Sequence, residues 1–85
     1  MARTDARRKR TGQVERVYQQ VGDRVADRRH ELGITQEEFA ERLGCSRASV
    51  ANIETGRERL LLHRLVNIAA ALRMPPSKLL RGLIR

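Results

Sequence analysis

The residues best suited to chemistry stand between Ser46 and Gly56. Laid on a helix, Val50 and Ile53 turn inward, while Arg47, Ala48, Ser49, Asn52 and Thr55 form the other face. That outer face is short-chained and polar, with one arginine. An arginine fork can make two hydrogen bonds to guanine, an asparagine amide can do the same to adenine, and an alanine methyl can meet the methyl of thymine. Such a face suits the major groove of a duplex; the plain alternative is a solvated helix surface. No other part of the chain offers a comparable constellation. It contains no nucleophile–base pairing, no paired catalytic carboxylates and no glycine-rich phosphate loop, so no catalytic residue, no cofactor and no enzyme activity is expected. His30 and His63 have no ligand one helical turn away, at Ala26, Ile34, Arg59 or Asn67, so no metal site is expected. The lone Cys45 is expected to pack in a turn. The acidic set Glu37, Glu38 and Glu41 has the spacing of a solvated helix face.

The elements that position this face are marked locally. Thr35-Gln36-Glu37-Glu38 is a capping box, in which Thr35 accepts from the amide of Glu38 and the Glu38 carboxylate reaches back to the Thr35 amide. A short helix follows, with Phe39, Ala40 and Leu43 as its buried stripe and Gly44 as its left-handed stop. Ser46 is a good N-cap for the next helix. A connection as short as Gly44-Cys45 makes the two helices cross steeply, and the small Ala40 lets them approach. Before this unit, Val14, Val17 or Tyr18, Val21, Val25 and Leu32 recur at helical spacing. They predict helix from about Gln13 to Val21 and from about Asp23 to Leu32, with Gly22 either inside one helix or between two, and Gly33 as the stop. After the unit, Leu62, Leu65, Val66, Ile68, Ala69 and Leu72 predict a fourth helix, and Pro75-Pro76-Ser77 opens a fifth carrying Leu79 and Leu80. No stretch alternates with period two. The fold class is therefore all-α, five helices round one core, with residues 13–85 as the folded domain.

The 85 residues suit a single small core, and the formal charge of +8 points to a polyanionic partner, nucleic acid before an anionic membrane. Half of that excess lies in residues 1–12, where Arg3, Arg7, Arg8, Lys9 and Arg10 outnumber Asp5. This segment reads as a disordered basic arm, whose Arg7-Arg8-Lys9-Arg10 run would follow a groove or the phosphates, or else act as a solubilising tail. One cysteine excludes an intramolecular disulfide, and the apolar runs 60–62 and 68–72 are too short to span a bilayer. No apolar segment follows the basic N-terminus, so a cytoplasmic, bacterial or phage-encoded, nucleoid-associated protein is expected.

The succession Val21-Gly22, Val25, Arg29, Gly33-Ile34-Thr35-Gln36-Glu37-Glu38-Phe39-Ala40, Leu43-Gly44-Cys45-Ser46-Arg47, Val50 and Ile53-Glu54-Thr55-Gly56-Arg57 resembles the phage repressor and Cro family, the Xre-type helix-turn-helix. The likeness continues through Leu65-Val66, Ile68-Ala69 and Ala71-Leu72 to Leu79-Leu80, covering about residues 21–80. It implies a five-helix repressor-like domain in which the second and third helices form the helix-turn-helix. It implies that Arg47, Ala48, Ser49 and Asn52 read bases, and that Thr35, Gln36, Ser46, Arg57 and Arg59 meet phosphates. Gln36 would also brace Arg47, and Arg29 and Glu54 would form a buried ion pair between the first and third helices. The chain departs from the family after Arg57, where a proline and a small capping residue usually stand and Leu60 and Leu61 are found instead.

The function implied is a sequence-specific DNA-binding transcriptional regulator, a repressor that binds a two-fold symmetric operator as a homodimer. Leu60, Leu61, Leu83 and Ile84 are the expected dimer contacts. The same leucines motivate the alternative of an antitoxin-type module that binds a protein partner, a toxin or another regulator, and represses its own operon. A basic binder without sequence preference ranks last, because the folded part carries a specific polar face and little excess charge.

Overall fold

The computed structural model describes the backbone of residues 2–83 and the side chains of residues 12–83. Among the described residues it contains five α-helices and no strand: α1 Ala2–Glu31, α2 Gln36–Leu43, α3 Arg47–Glu54, α4 Leu62–Ala71 and α5 Pro76–Leu80. Each boundary has a local cause. The α1 helix stops before Gly33, whose φ of 69° is the left-handed value that suits glycine. The capping box at Thr35 is formed, with the Thr35 Oγ1 accepting from the Glu38 amide at 3.0 Å and the Thr35 amide donating to Glu38 Oε1 at 2.9 Å. At Gly44 φ is 71°, the turn that sends the chain from α2 into α3, and the Ser46 Oγ caps α3 by accepting from the Ser49 amide at 3.1 Å.

The core gathers one stripe from each helix: Val21 and Val25 of α1, Phe39 and Ala40 of α2, Val50 and Ile53 of α3, Leu65, Ile68 and Ala69 of α4, and Leu79 of α5, with Leu72 closing the end of α4. Arginines seen only as excess charge in the sequence tie the helix ends together. Arg28 Nε donates to the Leu72 carbonyl at 3.0 Å, Arg24 Nη1 to the Leu79 carbonyl at 3.1 Å, and Arg42 Nη1 to the Ala71 carbonyl at 3.1 Å. Carbonyls at helix C-termini lack intrahelical donors and carry partial negative charge, so a guanidinium both satisfies and neutralises them.

The structure departs from the sequence expectation at two places and decides one point that the sequence left open, Gly22. The backbone of residues 2–12 continues α1 and does not form a disordered arm; the segment has good helix formers and no proline. Gly22 does not interrupt α1. It is buried where α1 crosses α3, and a Cβ built on it would stand 2.5 Å from the Ile53 carbonyl oxygen and 2.6 Å from that of Glu54. Glycine weakens a helix interior by roughly 0.5–1 kcal/mol, and here the close crossing is the return. Finally, Leu62 and Val66 leave the core stripe of α4, being 75% and 48% exposed, because Leu65, Ile68, Ala69 and Leu72 already complete the covered face. In α5, Leu79 is buried and Leu80 is largely exposed.

Gly22→Ala forces two main-chain segments apart and is expected to lower stability by about 1–3 kcal/mol, the usual cost of overpacking. Gly12→Ala, where a Cβ meets nothing within 4 Å, is expected to cause no loss and to raise helix stability by up to about 1 kcal/mol. Equal losses at the two positions would contradict the crossing described here.

Candidate nucleic-acid interface

The second and third helices are held at a fixed angle by one carboxylate. Glu54, the last residue of α3, accepts from Arg29 Nε at 2.6 Å on Oε2, and from Arg29 Nη2 at 3.2 Å and Gln36 Nε2 at 3.0 Å on Oε1. Arg29 Nη1 also donates to the Ile34 carbonyl at 2.9 Å. The pair is buried, and among the described residues no buried side-chain polar atom lacks a partner. A charge pair removed from water is tolerable only when its remaining donors and acceptors are engaged, as they are here. The structure thus brings Arg29 and Glu54 together between α1 and α3. It does not bring Gln36 to Arg47; the Gln36 amide bonds Glu54 instead, because the first residue of α2 stands over the last residue of α3.

With α3 anchored on Val50, Ile53 and Glu54, its opposite face is open. Arg47, Ala48 and Asn52 are exposed, and Ser49 is half-buried. Ser46 and Ser49 point their hydroxyls at one another, 3.3 Å apart, so Ser49 is partly committed to the cap. The carbonyl of Asn52 accepts from the amides of Arg57 at 2.9 Å and Glu58 at 3.3 Å, which fixes the loop after α3 while leaving the Asn52 side chain outward. Thr35 is exposed at the start of α2. The backbone amide of Thr35, and secondarily its hydroxyl, hold the Glu38 carboxyl below its ordinary value, so the box is charged at neutral pH.

Arg57 is exposed on the loop, whereas Arg59 lies over the Tyr18 ring, 5.2 Å from its centroid. Tyr18 Oη donates to the Leu60 carbonyl at 3.5 Å, and Gly56, with φ of 76°, would place a Cβ 2.7 Å from the Gln19 Cα. The loop therefore lies tightly along α1, and Glu15, Gln19, Thr55, Gly56, Arg57 and Arg59 line a shallow cleft there. Sequence reasoning placed Tyr18 and Gly22 only in the pattern of the first helix and gave neither them nor Gln19 a part in the site. A glycine within a helical pattern was the signal available.

Of the expected dimer contacts, Leu60 and Leu83 are partly buried against the core and so are not open surface, Leu61 is 67% exposed, and Ile84 lies outside the described residues. Leu61 and Leu62, with Val66 one turn on, make the exposed apolar patch. The side chains of Arg7, Arg8, Lys9 and Arg10 likewise lie outside the described ones. Among the described residues no cluster of three or more His, Cys, Asp or Glu is placed to hold a metal ion, and no helix is long and apolar enough to cross a membrane.

The helix-turn-helix family profile matches residues 25–79, more than half of the chain, from the last two turns of α1 to α5. The chain belongs to the helix-turn-helix family. The helix-turn-helix protein is 40% identical over 65 residues to an uncharacterised transcriptional regulator in the ATPase CF(0) region of Rhodospirillum rubrum, covering 76% of this chain and 60% of that one. It is 43% identical over 44 residues to an uncharacterised helix-turn-helix transcriptional regulator of Methanothermobacter thermautotrophicus, covering 48% of this chain and 64% of the relative. The chain thus spans somewhat less than two thirds of either relative's length. Among solved structures it is similar to the restriction-modification controller protein C.AhdI from Aeromonas hydrophila, with a TM-score of 0.69, 29% identity, and coverage of 73% of this chain and 94% of that one. Residues 25–79 are accordingly a DNA-binding helix-turn-helix domain of the Xre type found in transcriptional regulators, with α2 and α3 as its two named helices.

Removing one side of the Arg29–Glu54 pair leaves a buried charge unmatched. Arg29→Met is expected to lower stability by about 3–5 kcal/mol in chemical denaturation. A loss below 1 kcal/mol, the range of surface ion pairs, would show the pair to be solvent-screened.

Proposed function

We propose that this helix-turn-helix protein is a sequence-specific transcriptional regulator, a repressor that binds a two-fold symmetric operator as a homodimer. The observation that carries the reading is the exposed outer face of α3, anchored from behind by a buried carboxylate shared among three helices. In this reading Arg47 pairs with a guanine, Asn52 with an adenine, and the Ala48 methyl meets a thymine, with Ser49 contributing at its edge. Thr35, Gln36 and Ser46 at the helix starts meet phosphates, where helix N-termini favour anions. Arg57 and Arg59 meet phosphates on the following loop, with Arg59 oriented by the Tyr18 ring. The regulators and the controller protein to which the chain is similar support the same class of function.

One such module covers few base pairs, which favours pairing of two copies across a symmetric site. Leu61, Leu62 and Val66 supply the exposed apolar surface for that contact. The same patch favours the second reading, an antitoxin-type regulator whose patch seats a different protein. A homodimer in sedimentation that is lost on Leu62→Glu supports the first. A monomer that co-purifies with a second chain from its host supports the second.

The reading face is tested on DNA selected in vitro by the wild-type protein. Arg47→Ala is expected to lower affinity by about 1–3 kcal/mol and to relax the preference at one base, whereas Arg57→Ala weakens selected and scrambled duplexes alike and reduces the salt slope by about 1. If Arg47→Ala leaves affinity and preference intact, α3 is not the reading helix.

A further inference from the structure

The loop after α3 alternates in direction. Arg57 and Arg59 line the cleft against α1, whereas Glu58, between them, turns to α4, its Oε2 standing 3.8 Å from Arg64 Nε. The backbone there is pinned to α3, because the Glu58 amide donates to the Asn52 carbonyl at 3.3 Å. A carboxylate is therefore built into the surface proposed to meet the duplex. It adjoins a residue assigned to base reading and is flanked in sequence by both loop cations. Left free, it would repel phosphates over about 8 Å at physiological salt.

Arg64 occupies an unfavourable place for a cation. The α4 helix begins at Leu62, so Arg64 is its third residue, and Leu61 at the N-cap gives no side-chain hydrogen bond. The first turn of a helix carries partial positive charge and favours anions, and no acidic residue stands in this one. Glu58 supplies the anion from the loop, and both side chains are half-buried where they meet. The arginine works against the α4 dipole and the carboxylate works against a duplex; paired, each offsets the other.

We propose that Arg64 is a positioning residue for DNA binding: it neutralises Glu58 and holds its carboxylate toward α4, away from the phosphates met by Arg57 and Arg59. The proposal rests on the DNA-reading assignment, which puts the duplex against α3 and this loop. It goes further in giving a residue behind that surface a part in affinity, through the charge that it masks.

The test is a double-mutant cycle on the full chain, with affinity for the selected duplex measured at low and at high salt. Arg64→Gln unmasks Glu58 and is expected to weaken binding about two- to fivefold at low salt, the range of a partly exposed ion pair, and less at high salt. In the Glu58→Gln background the same change is expected to cost nothing, because no carboxylate is left to hold. The urea midpoint of Arg64→Gln is expected to stay at the wild-type value or to rise, since a cation leaves a helix N-terminus. An equal loss from Arg64→Gln in both backgrounds overturns the proposal, because Arg64 then meets the duplex itself. Wild-type affinity for Arg64→Gln overturns it as well. A midpoint that falls in step with affinity assigns Arg64 to folding and does the same. If Glu58→Gln alone shifts the preference at one base, Glu58 reads that base and the proposal fails. Arg57→Gln, measured beside the cycle, separates the two levels. If it costs no affinity, the loop is away from the duplex, and the assignment fails and takes the proposal with it. If it costs affinity while the cycle is additive, the proposal alone fails.

Discussion

The Glu54 carboxylate is the joint on which the interface depends. It accepts from Arg29 of α1 and Gln36 of α2 while belonging to the last turn of α3, so three helices share one buried anion. A geometry with two short helices and a tight turn could pivot if only apolar contacts held it, since hydrophobic packing is not directional. The charged fork and the amide fix the direction. Gly22 makes this possible by letting the α1 backbone come close to the carbonyls at the end of α3. Joint and glycine lie on the side of α3 away from Arg47, Ala48 and Asn52, and that division keeps the outer face of α3 open.

Several arginines of the folded part serve its structure. Arg24, Arg28 and Arg42 hold helix ends, Arg29 is buried, and Arg59 rests on an aromatic ring. Part of the basic character of the folded part is therefore structural, while Arg47 and Arg57 are exposed on α3 and the loop after it. Electrostatic attraction spread over a surface gives affinity without preference, whereas a single exposed arginine among small residues can discriminate bases.

Local signals were legible in the sequence, and tertiary ones were not. The Thr35 capping box, the Ser46 cap and the glycine stops at Gly33 and Gly44 rest on interactions within a few residues, so residue types alone specify them. The five-helix order and the family likeness followed from the same local marks. Gly22 was ambiguous because its value lies in a contact with Ile53 and Glu54 of α3, far along the chain. Leu62 and Val66 were misassigned because helical spacing reports which residues share a face, not how wide a face the rest of the fold covers. Gln36 was directed to the wrong neighbour because the residue it meets, Glu54, depends on the crossing of α2 over α3. The basic segment was read from charge as disordered, although its residues favour helix and α1 runs through it.

The central claim is that α3 and the loop after it form the DNA surface, with the Glu54 joint behind them. Amide shift perturbation of the full chain titrated with its selected duplex tests this residue by residue. The account predicts the largest changes from Ser46 to Asn52, at Thr35 and Gln36, and at Arg57 to Arg59, with Ile68 to Leu72 undisturbed. Changes centred instead on Leu61, Leu62 and Val66, with the outer face of α3 silent, would contradict it.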